Sequence, residues 1–274
     1  MASIVKVSSN RNIFGEGLAF FENNIFWTDI ESNRVFVTDI LNNEETVLHG
    51  FHSPSQCLVV NDEVFVVDRK GLTKIHSKKS FIPLKIDFNF LSEYERTNDC
   101  EYIGNGNFLI SIMSKIETRG MGRIVLFNCF DSSNSVLIKN LSVPNSVVFD
   151  EENNRVFLAD STIGTIFTLS NDYLKFDFDA TSKLLIFSNS IELGIPDGST
   201  LSIGNNLWNC SWGASKIVIY SPKGKKIDEI HLENIRFPTS CAFNHDNSRL
   251  YITSDSRKSP QLLDGFLVEL DITL

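Results

Sequence analysis

Short runs of β-branched and aromatic residues alternate along the chain with turns rich in Asn, Asp and Gly. Runs of about four to eight such residues, bounded by turn residues, are typical of strands joined in hairpins. No long segment has the periodicity of a helix. The pattern of strand, turn, aromatic strand, turn and third strand recurs in six copies, which begin at Leu18, Cys57, Cys100, Ser146, Ser199 and Cys241.

A polar residue precedes each copy at a constant offset, four positions ahead of an apolar anchor. Successive polar residues are separated by 39, 43, 47, 52 and 42 residues. A period of about 40 to 50 residues is typical of radial supersecondary units, and a β-sandwich would not produce it. The chain is therefore predicted to be all-β, a six-bladed β-propeller. The six polar residues are Glu16, Ser55, Asn98, Asn145, Asp197 and Thr239.

Closure of the ring requires one more strand, because an open propeller leaves unpaired edges that invite aggregation. The short apolar segment from Ile4 to Val7 is expected to pair with the sheet formed between Cys241 and Leu274. The two chain ends then meet in the last blade. A length of 274 residues is compatible with one closed β domain, so residues 1–274 are expected to form a single domain.

Composition narrows the range of partners. The formal charge is -9, and the only basic cluster, Lys223 to Lys226, has the character of a hairpin turn. Nucleic acid and anionic membranes are therefore not expected as partners, and no apolar run approaches the roughly 20 residues that span a bilayer. No segment resembles a signal peptide. The protein is expected to be soluble and cytoplasmic, and its 22 Phe residues are expected to fill the space between packed sheets.

The cysteines and histidines do not have metal-site spacing. Five cysteines are widely spread without a CxxC pair, and the five histidines lack HxH or HExxH spacing. Buried free thiols in a reducing compartment are the favoured interpretation. The alternative is a soft-metal site formed by three cysteines that follow the polar ring by two residues: Cys57, Cys100 and Cys241.

The ring itself predicts a site, because the innermost strands of a propeller run in the same direction along the central channel. Glu16, Asn98, Asn145 and Asp197 would meet at one mouth, with Ser55 and Thr239 in its wall. Two carboxylates in a poorly hydrated mouth repel each other unless a cation lies between them. Oxygen ligands suit Ca²⁺, Mg²⁺ or Mn²⁺, and Zn²⁺ or Fe²⁺ also use such sites, so one divalent ion of undetermined identity is predicted.

Alternation in the strands predicts what lies further along the channel. The side chains two residues after the ring positions are small or apolar and are expected to plug its floor. Strand-ending aspartates are interpreted differently from the ring, as exposed or hairpin residues: Asp29, Asp39, Asp68 and Asp160.

Five short segments in order along the chain resemble the SMP-30/gluconolactonase/luciferin-regenerating-enzyme-like family of six-bladed propellers. The chain departs from the family's pattern at Ser146 and Cys100, where a glycine is usual. An acidic residue that some members use to bind the sugar would fall near Lys115–Ile116–Glu117, out of register by one. The matching segments are Gly15–Gly17, Arg96–Asp99, Pro144–Ser146, Pro196–Gly198 and Pro238–Phe243.

The resemblance implies a divalent metal bound by Glu16, Asn145 and Asp197, with Asn98 nearby or also ligating. It implies that Arg96 and Asn98 bind the substrate and that Asp197 is the general base. Arg96 stands two residues before Asn98, so both face the same side of an extended strand. A surface arginine paired with a carboxylate such as Glu93 or Glu95 is the alternative. Family members mostly hydrolyse lactones of sugar acids, so a metal-dependent lactonase is expected.

Two further functions stay open at this point. The first is a metal-binding regulatory or scaffold protein without turnover, although such a protein would not need a substrate-binding arginine. The second is a related hydrolase of organophosphates or other esters, which the same open metal could support. Both share the predicted mouth of the propeller and differ in what enters it.

Overall fold

The computed structural model describes residues 4–75, 85–189, 191–258 and 260–272. In these residues six antiparallel sheets of four strands each follow one another along the chain. The first three sheets comprise β2 (Gly15–Phe21), β3 (Asn24–Asp29), β4 (Arg34–Asp39) and β5 (Glu44–Leu48); β6 (Gln56–Val60), β7 (Glu63–Asp68), β8 (Gly71–Ile75) and β9 (Lys85–Asp87); and β10 (Glu95–Tyr102), β11 (Asn107–Ser114), β12 (Gly122–Asn128) and β13 (Asn134–Leu141).

The other three sheets repeat this meander, and the last of them combines the two ends of the chain. They comprise β14 (Pro144–Asp150), β15 (Arg155–Asp160), β16 (Thr165–Ser170) and β17 (Leu185–Asn189); β18 (Ile195–Leu201), β19 (Leu207–Trp212), β20 (Lys216–Tyr220) and β21 (Lys226–His231); and β22 (Pro238–Phe243), β23 (Arg249–Ser254), β24 (Val268–Asp271) and β1 (Ile4–Lys6).

The first strand of every sheet lies next to the first strands of its two neighbours, which closes a ring. These inner strands are β2, β6, β10, β14, β18 and β22, and β2 contacts both β6 and β22. Each sheet is therefore one blade, and the predicted six-bladed β-propeller is confirmed. Helical structure in the described residues is limited to single 3-10 turns, none of which could cross a membrane: Ser161–Ile163, Asn171–Tyr173, Thr181–Lys183 and Ile191–Leu193.

The N-terminal strand closes the last blade, as predicted. Ile4 pairs with Leu270 and Lys6 with Val268 in antiparallel register. The pairing is continued by a hydrogen bond of 2.9 Å from the backbone N–H of Val7 to the carbonyl oxygen of Leu267. The otherwise unpaired edge of β24 is thereby covered.

The core consists of apolar clusters between neighbouring blades. The cluster between the last and first blades contains Trp27, Phe36 and Tyr251, all at most 2% exposed. The rings of Trp27 and Phe36 stack with 4.6 Å between their centroids, and the indole N–H donates to Thr38 Oγ1. Full burial of one such aromatic ring contributes about 1.5–3 kcal/mol. The prediction that phenylalanine fills the space between sheets is confirmed.

The three cysteines that follow the polar ring are buried in separate clusters of this core. Cys57 packs between the first two blades, Cys100 between the second and third, and Cys241 between the fifth and sixth. All five cysteines are free thiols. The alternative of a three-cysteine metal site is therefore wrong, because packing between different blade pairs separates the three sulfur atoms.

Three of the four strand-ending aspartates are almost completely buried, so exposure was predicted wrongly for them. All three nevertheless accept hydrogen bonds from the backbone of the turn that follows, as expected of hairpin residues. The carboxylate of Asp160 accepts hydrogen bonds from the backbone N–H groups of Ser142 (2.8 Å) and Val143 (3.2 Å). It thereby fixes the connection that enters the inner strand of its own blade. Asp39 also accepts from the backbone of the following turn, as expected of a hairpin residue. The same fixation of an incoming connection is provided by Asp29, on Ile13 and Phe14, and by Asp68, on His52.

Candidate active site at the mouth of the channel

A cavity of about 210 Å³ opens where the inner strands begin. The structure brings together in its lining all five residues for which the sequence predicts a role in the site. Connections between the second and third strands of several blades complete the lining. The five predicted residues are Glu16, Arg96, Asn98, Asn145 and Asp197.

An irregularity in the inner strands lies at these positions. In β14 the register shifts between Asn145 and Val148, so that one residue is unpaired, as in a β-bulge. Ser146 lies in this bulge with φ 55°, a conformation that favours glycine. Its hydroxyl donates to Ser199 Oγ at 2.6 Å in the next blade. Ser146, which stands where a glycine is usual, therefore adopts the left-handed backbone conformation itself. Equivalent register shifts occur in β2, β10, β18 and β22.

The two carboxylates of the ring are buried and interact with each other. Burial, followed by the charge of Asp197 and then that of Asp99, raises the pKa of Glu16 well above its usual range, and the Arg96 guanidinium only partly opposes this. Burial raises the pKa of Asp197 to about 8, against the hydrogen bond from Asn145. Two anions in this mouth are therefore costly without a compensating cation.

The two ring asparagines are held by the protein. Asn145 Nδ2 donates to Asp197 Oδ1, and Asn145 Oδ1 accepts from the backbone N–H of Ser146 at 3.0 Å. Asn98 Nδ2 donates to the carbonyl oxygen of Pro144 at 2.9 Å, which directs Asn98 Oδ1 toward the side of the cavity where Arg96 lies. These contacts between neighbouring blades fix the positions of both amides.

The donor set fits a divalent cation bound through oxygen. Among the described residues, no group of three or more His, Cys, Asp or Glu side chains is placed to hold a metal ion. A cation at this mouth would have only two carboxylates of the described residues as ligands, those of Glu16 and Asp197. The amide oxygens of Asn145 and Asn98 would complete the set. The charge of the cation would relieve the repulsion that raises the pKa values of both carboxylates.

Arg96 faces the cavity and does not pair with the neighbouring Glu95. Its Nη1 donates to the carbonyl oxygen of Thr97 at 2.9 Å and to Asn98 Oδ1 at 2.6 Å. Glu95 forms its ion pair with Arg123 instead. Among the described residues, Nε and Nη2 of Arg96 have no hydrogen-bond acceptor, so these donors remain available to a ligand. Pairing of Arg96 with Glu95 is excluded by this arrangement.

Ser55 and Thr239 are wholly buried behind the cavity and do not line it. Ser55 Oγ donates to Thr97 Oγ1 at 2.8 Å, and Thr239 Oγ1 donates to the carbonyl oxygen of Gly15 at 2.6 Å. Each hydroxyl therefore links two adjacent blades. They were predicted to lie in the wall of the mouth, and they lie behind the cavity instead.

Comparison with known proteins places the whole ring within one family. The sequence profile described as SMP-30/Gluconolactonase/LRE-like region matches residues 14–256, which include every ring position. The chain belongs to this family.

The relatives of this SMP-30/gluconolactonase/LRE-like protein are distant but cover most of its length. L-arabinolactonase from Azospirillum brasilense is 24% identical over 90% of this chain and 83% of the relative. The putative sugar lactone lactonase YvrE of Bacillus subtilis is 24% identical over 90% and 85%. The crystal structure of a calcium-binding protein, regucalcin, from Agrobacterium tumefaciens superimposes with a TM-score of 0.84 at 20% identity, covering 97% of this chain and 92% of that chain. At that identity the superposition demonstrates a shared fold.

Further along the channel, the lining differs from the predicted floor of small or apolar side chains. A second cavity of about 250 Å³ is lined by Asp99 and Glu101, besides the expected Leu18, Val147 and other small residues. The register shift between Thr97 and Cys100 adds one residue to β10 and reverses its alternation. The floor is therefore polar, and burial raises the pKa of Asp99 to about 6 and that of Glu101 to about 8.

Four charged or aromatic residues of the mouth lie outside the repeat and were not identified from the ring. Glu117, Arg257 and Lys258 stand on connections between second and third strands of blades, whose lengths vary, and Trp212 is the last residue of β19, where such a connection begins. The only sequence signal was the acidic residue that the family pattern places near Lys115–Ile116–Glu117. Glu117 lines the cavity in spite of the shift in register.

Proposed function

We propose that this protein hydrolyses the lactone of a sugar acid at the mouth of its channel. The observation that carries the proposal is the convergence of Glu16, Asn98, Asn145 and Asp197 with Arg96 in one cavity of about 210 Å³. Membership of the family and the similarity to L-arabinolactonase support the same reaction class.

A divalent cation, held by Glu16, Asn145 and Asp197 with Asn98 as a further oxygen donor, would supply Lewis-acid polarisation of the lactone carbonyl. The residues of the chain have distinct tasks around it. Glu16 and Asn145 would contribute a carboxylate and an amide oxygen that hold the cation. Their burial keeps water away from the site, which strengthens every electrostatic interaction within it.

Asp197 is the candidate general base. Both of its side-chain hydrogen bonds to described residues, from Asn145 and from the backbone N–H of Gly198 (3.1 Å), end on Oδ1. Oδ2 is therefore available to accept a proton from a water molecule. That water forms a bond to the lactone carbonyl carbon, the bond between this carbon and the ring oxygen breaks, and the proton passes to the ring oxygen. The product is a hydroxy acid.

Arg96 and Asn98 are the candidate substrate-binding residues. The contact of Arg96 Nη1 with Asn98 Oδ1 fixes the guanidinium plane and leaves Nε and Nη2 as a donor pair. Such a fork suits the hydroxyl and carbonyl oxygens of a lactone. Both residues would orient the ring so that its carbonyl faces Asp197, which lowers the entropic cost of the reaction.

The test combines metal analysis of the purified protein with a pH-stat assay on five- and six-membered sugar lactones, with Ca²⁺, Mg²⁺, Mn²⁺, Zn²⁺ or Fe²⁺ added. We expect acid release that stops when a chelator is added and returns with the metal. Absence of acid release from every lactone with every metal would contradict the proposed function. Bound metal in a protein without turnover would indicate a regulatory protein, whereas turnover of simple esters or organophosphates alone would indicate the other hydrolase class.

A further inference from the structure

One fully buried carboxylate organises the rim of the mouth. Asp255 Oδ2 accepts from the indole N–H of Trp212 at 3.3 Å and from Nη2 of Arg257 at 2.9 Å. Asp255 Oδ1 accepts from Nε of Arg257 at 3.0 Å and from the backbone N–H of Arg257 at 2.8 Å. Asp255 therefore fixes both the indole ring and the backbone that leads to Lys258.

The two cations at this rim, Arg257 and Lys258, differ in their partners. Arg257 is neutralised by Asp255, forms a second ion pair with Glu31 at 3.2 Å, and lies flat over the ring of Phe14. Lys258 Nζ lies 5.0 Å from the ring centroid of Trp212. Among the described residues no carboxylate forms an ion pair with Lys258. The ammonium group of this exposed lysine at the edge of the cavity thus lies over an aromatic ring and has no carboxylate partner in the part of the chain that the structure describes.

A bound cation would change the charge of the cavity further. It would neutralise the carboxylates of Glu16 and Asp197, and the remaining charges of the lining would be Arg96, Lys258 and Glu117, with Arg257 already paired. The lining itself would then carry one positive charge in excess, on a protein whose formal net charge is -9, while Glu31, the second partner of Arg257, adds a negative charge outside the lining. A local positive field in a cleft attracts anions and orients them.

We propose that the natural substrate is an anionic lactone, which carries a phosphate, sulfonate or carboxylate away from the ring carbonyl, and that Lys258 binds this group beside Trp212. This inference rests on the proposed function. Lys258 is a specificity-determining residue in it, because a strongly hydrated ammonium gains most from a partner of opposite charge.

The test compares kcat/KM for matched lactones: glucono-1,5-lactone as the neutral substrate, 6-phosphoglucono-1,5-lactone and a glucaric acid lactone as the anionic ones. The anionic-to-neutral ratio of kcat/KM is measured for the unaltered protein and for Lys258→Gln. We expect a ratio above one that falls at least about tenfold in Lys258→Gln, chiefly through KM, since a charge-assisted hydrogen bond is lost. Comparison of the two anionic lactones distinguishes phosphate from carboxylate.

Lys183→Gln is the matched control. Lys183 Nζ lies 5.7 Å from the ring centroid of Tyr173, a similar arrangement on the connection between β16 and β17 at the other end of its blade. This variant should leave the ratio unchanged. A ratio of one or less in the unaltered protein, or an equal loss for neutral and anionic lactones in Lys258→Gln, would overturn the inference.

A binding measurement separates this inference from the proposed function. Calorimetry with 1,5-anhydroglucitol 6-phosphate and with 1,5-anhydroglucitol uses rings without a carbonyl, which cannot be hydrolysed. Tighter binding of the phosphate that is lost in Lys258→Gln supports an anion site even if no lactone is turned over. Equal binding of both rings contradicts the anion site even if neutral lactones are hydrolysed.

Discussion

The side-chain amide of Asn145 donates a hydrogen bond to the carboxylate of Asp197, which stands 52 residues later in the next blade. The bond joins two of the candidate metal ligands directly across a blade interface. It also favours the ionised carboxylate and so opposes the rise in the pKa of Asp197 that burial causes. The mouth is therefore assembled by the protein itself before any ligand enters.

Replacement of Asp197 by Asn should remove turnover and preserve the fold. The amide has almost the same shape but cannot accept a proton from water, so we expect kcat to fall by about 10² to 10⁴. The melting temperature of the metal-free protein should stay the same or rise, because burial disfavours the ionised carboxylate. Thermal denaturation and pH-stat assays test this, with the exposed Asp228→Asn as control. Normal turnover in Asp197→Asn would show that another group is the base.

A divalent metal should stabilise the protein, because a ligand that binds only the native state raises its free energy of unfolding by mass action. Glu16→Gln removes one of two buried carboxylates and should weaken metal binding at least about tenfold, or 1.4 kcal/mol. Melting curves at increasing metal concentration measure both effects, and Glu93→Gln, at an exposed site, is the control. A melting temperature that is insensitive to metal and chelator would argue against a bound ion.

The second cavity predicts a pH dependence of stability in the metal-free protein. Burial, assisted by the charge of Asp99, raises the pKa of Glu101 from 4.5 to about 8. The native state therefore retains a proton that the unfolded chain releases, so this contribution is fully present below about pH 4.5 and is lost as pH rises through 8. Glu101→Gln should flatten the decline in the free energy of unfolding between pH 5 and 8. Urea denaturation across this range tests it, and a slope identical to that of Glu93→Gln would contradict it.

Glycine is required at position 17 by the backbone conformation and by the packing of the next blade, independently of the proposed chemistry. It has φ 56°, and a Cβ atom there would lie 2.4 Å from the carbonyl oxygen of Ser55 in the next blade. Gly17→Ala should therefore lower the free energy of unfolding by more than about 3 kcal/mol or prevent folding. Gly120→Ala, with φ 76° and nothing within 4 Å, should cost only about 1 kcal/mol. Equal effects of the two substitutions in urea denaturation would show that the blades separate easily at Gly17.

Deletion of residues 1–8 should destabilise the whole propeller, because it removes β1 and leaves the edge of β24 unpaired. We expect a lower melting temperature and concentration-dependent aggregation, measured by thermal denaturation and light scattering. Deletion of residues 1–3 keeps β1 and is the control. If the two truncated proteins melt alike, the clasp contributes little to stability.

The sequence was informative wherever the repeat determined the position of a residue. The offsets of Glu16, Asn98, Asn145 and Asp197 predicted their convergence, since equivalent strands present equivalent side chains. Cys100 was predicted to face the channel, but Asp99 lines it instead, because one bulged residue in the strand reverses the alternation of side chains. The sequence contains no signal for such a bulge. The role of Asp160 was also missed, since its backbone partners are identified only when the connection is folded. Lys258 lies on a connection outside the repeat, where no register applies, and Trp212 ends β19 beyond the repeated pattern.

The strand clasp also sets the order of events during synthesis. The last blade needs β1, which is synthesised before the other strands of the propeller, and β24, which is synthesised after them, so the ring cannot close until β24 has left the ribosome. Five blades are available earlier, with the apolar faces that the sixth will cover still exposed to solvent. Emergence of the C-terminal strand from the ribosome is therefore the step that converts an open, aggregation-prone arc into a closed ring with an enclosed channel.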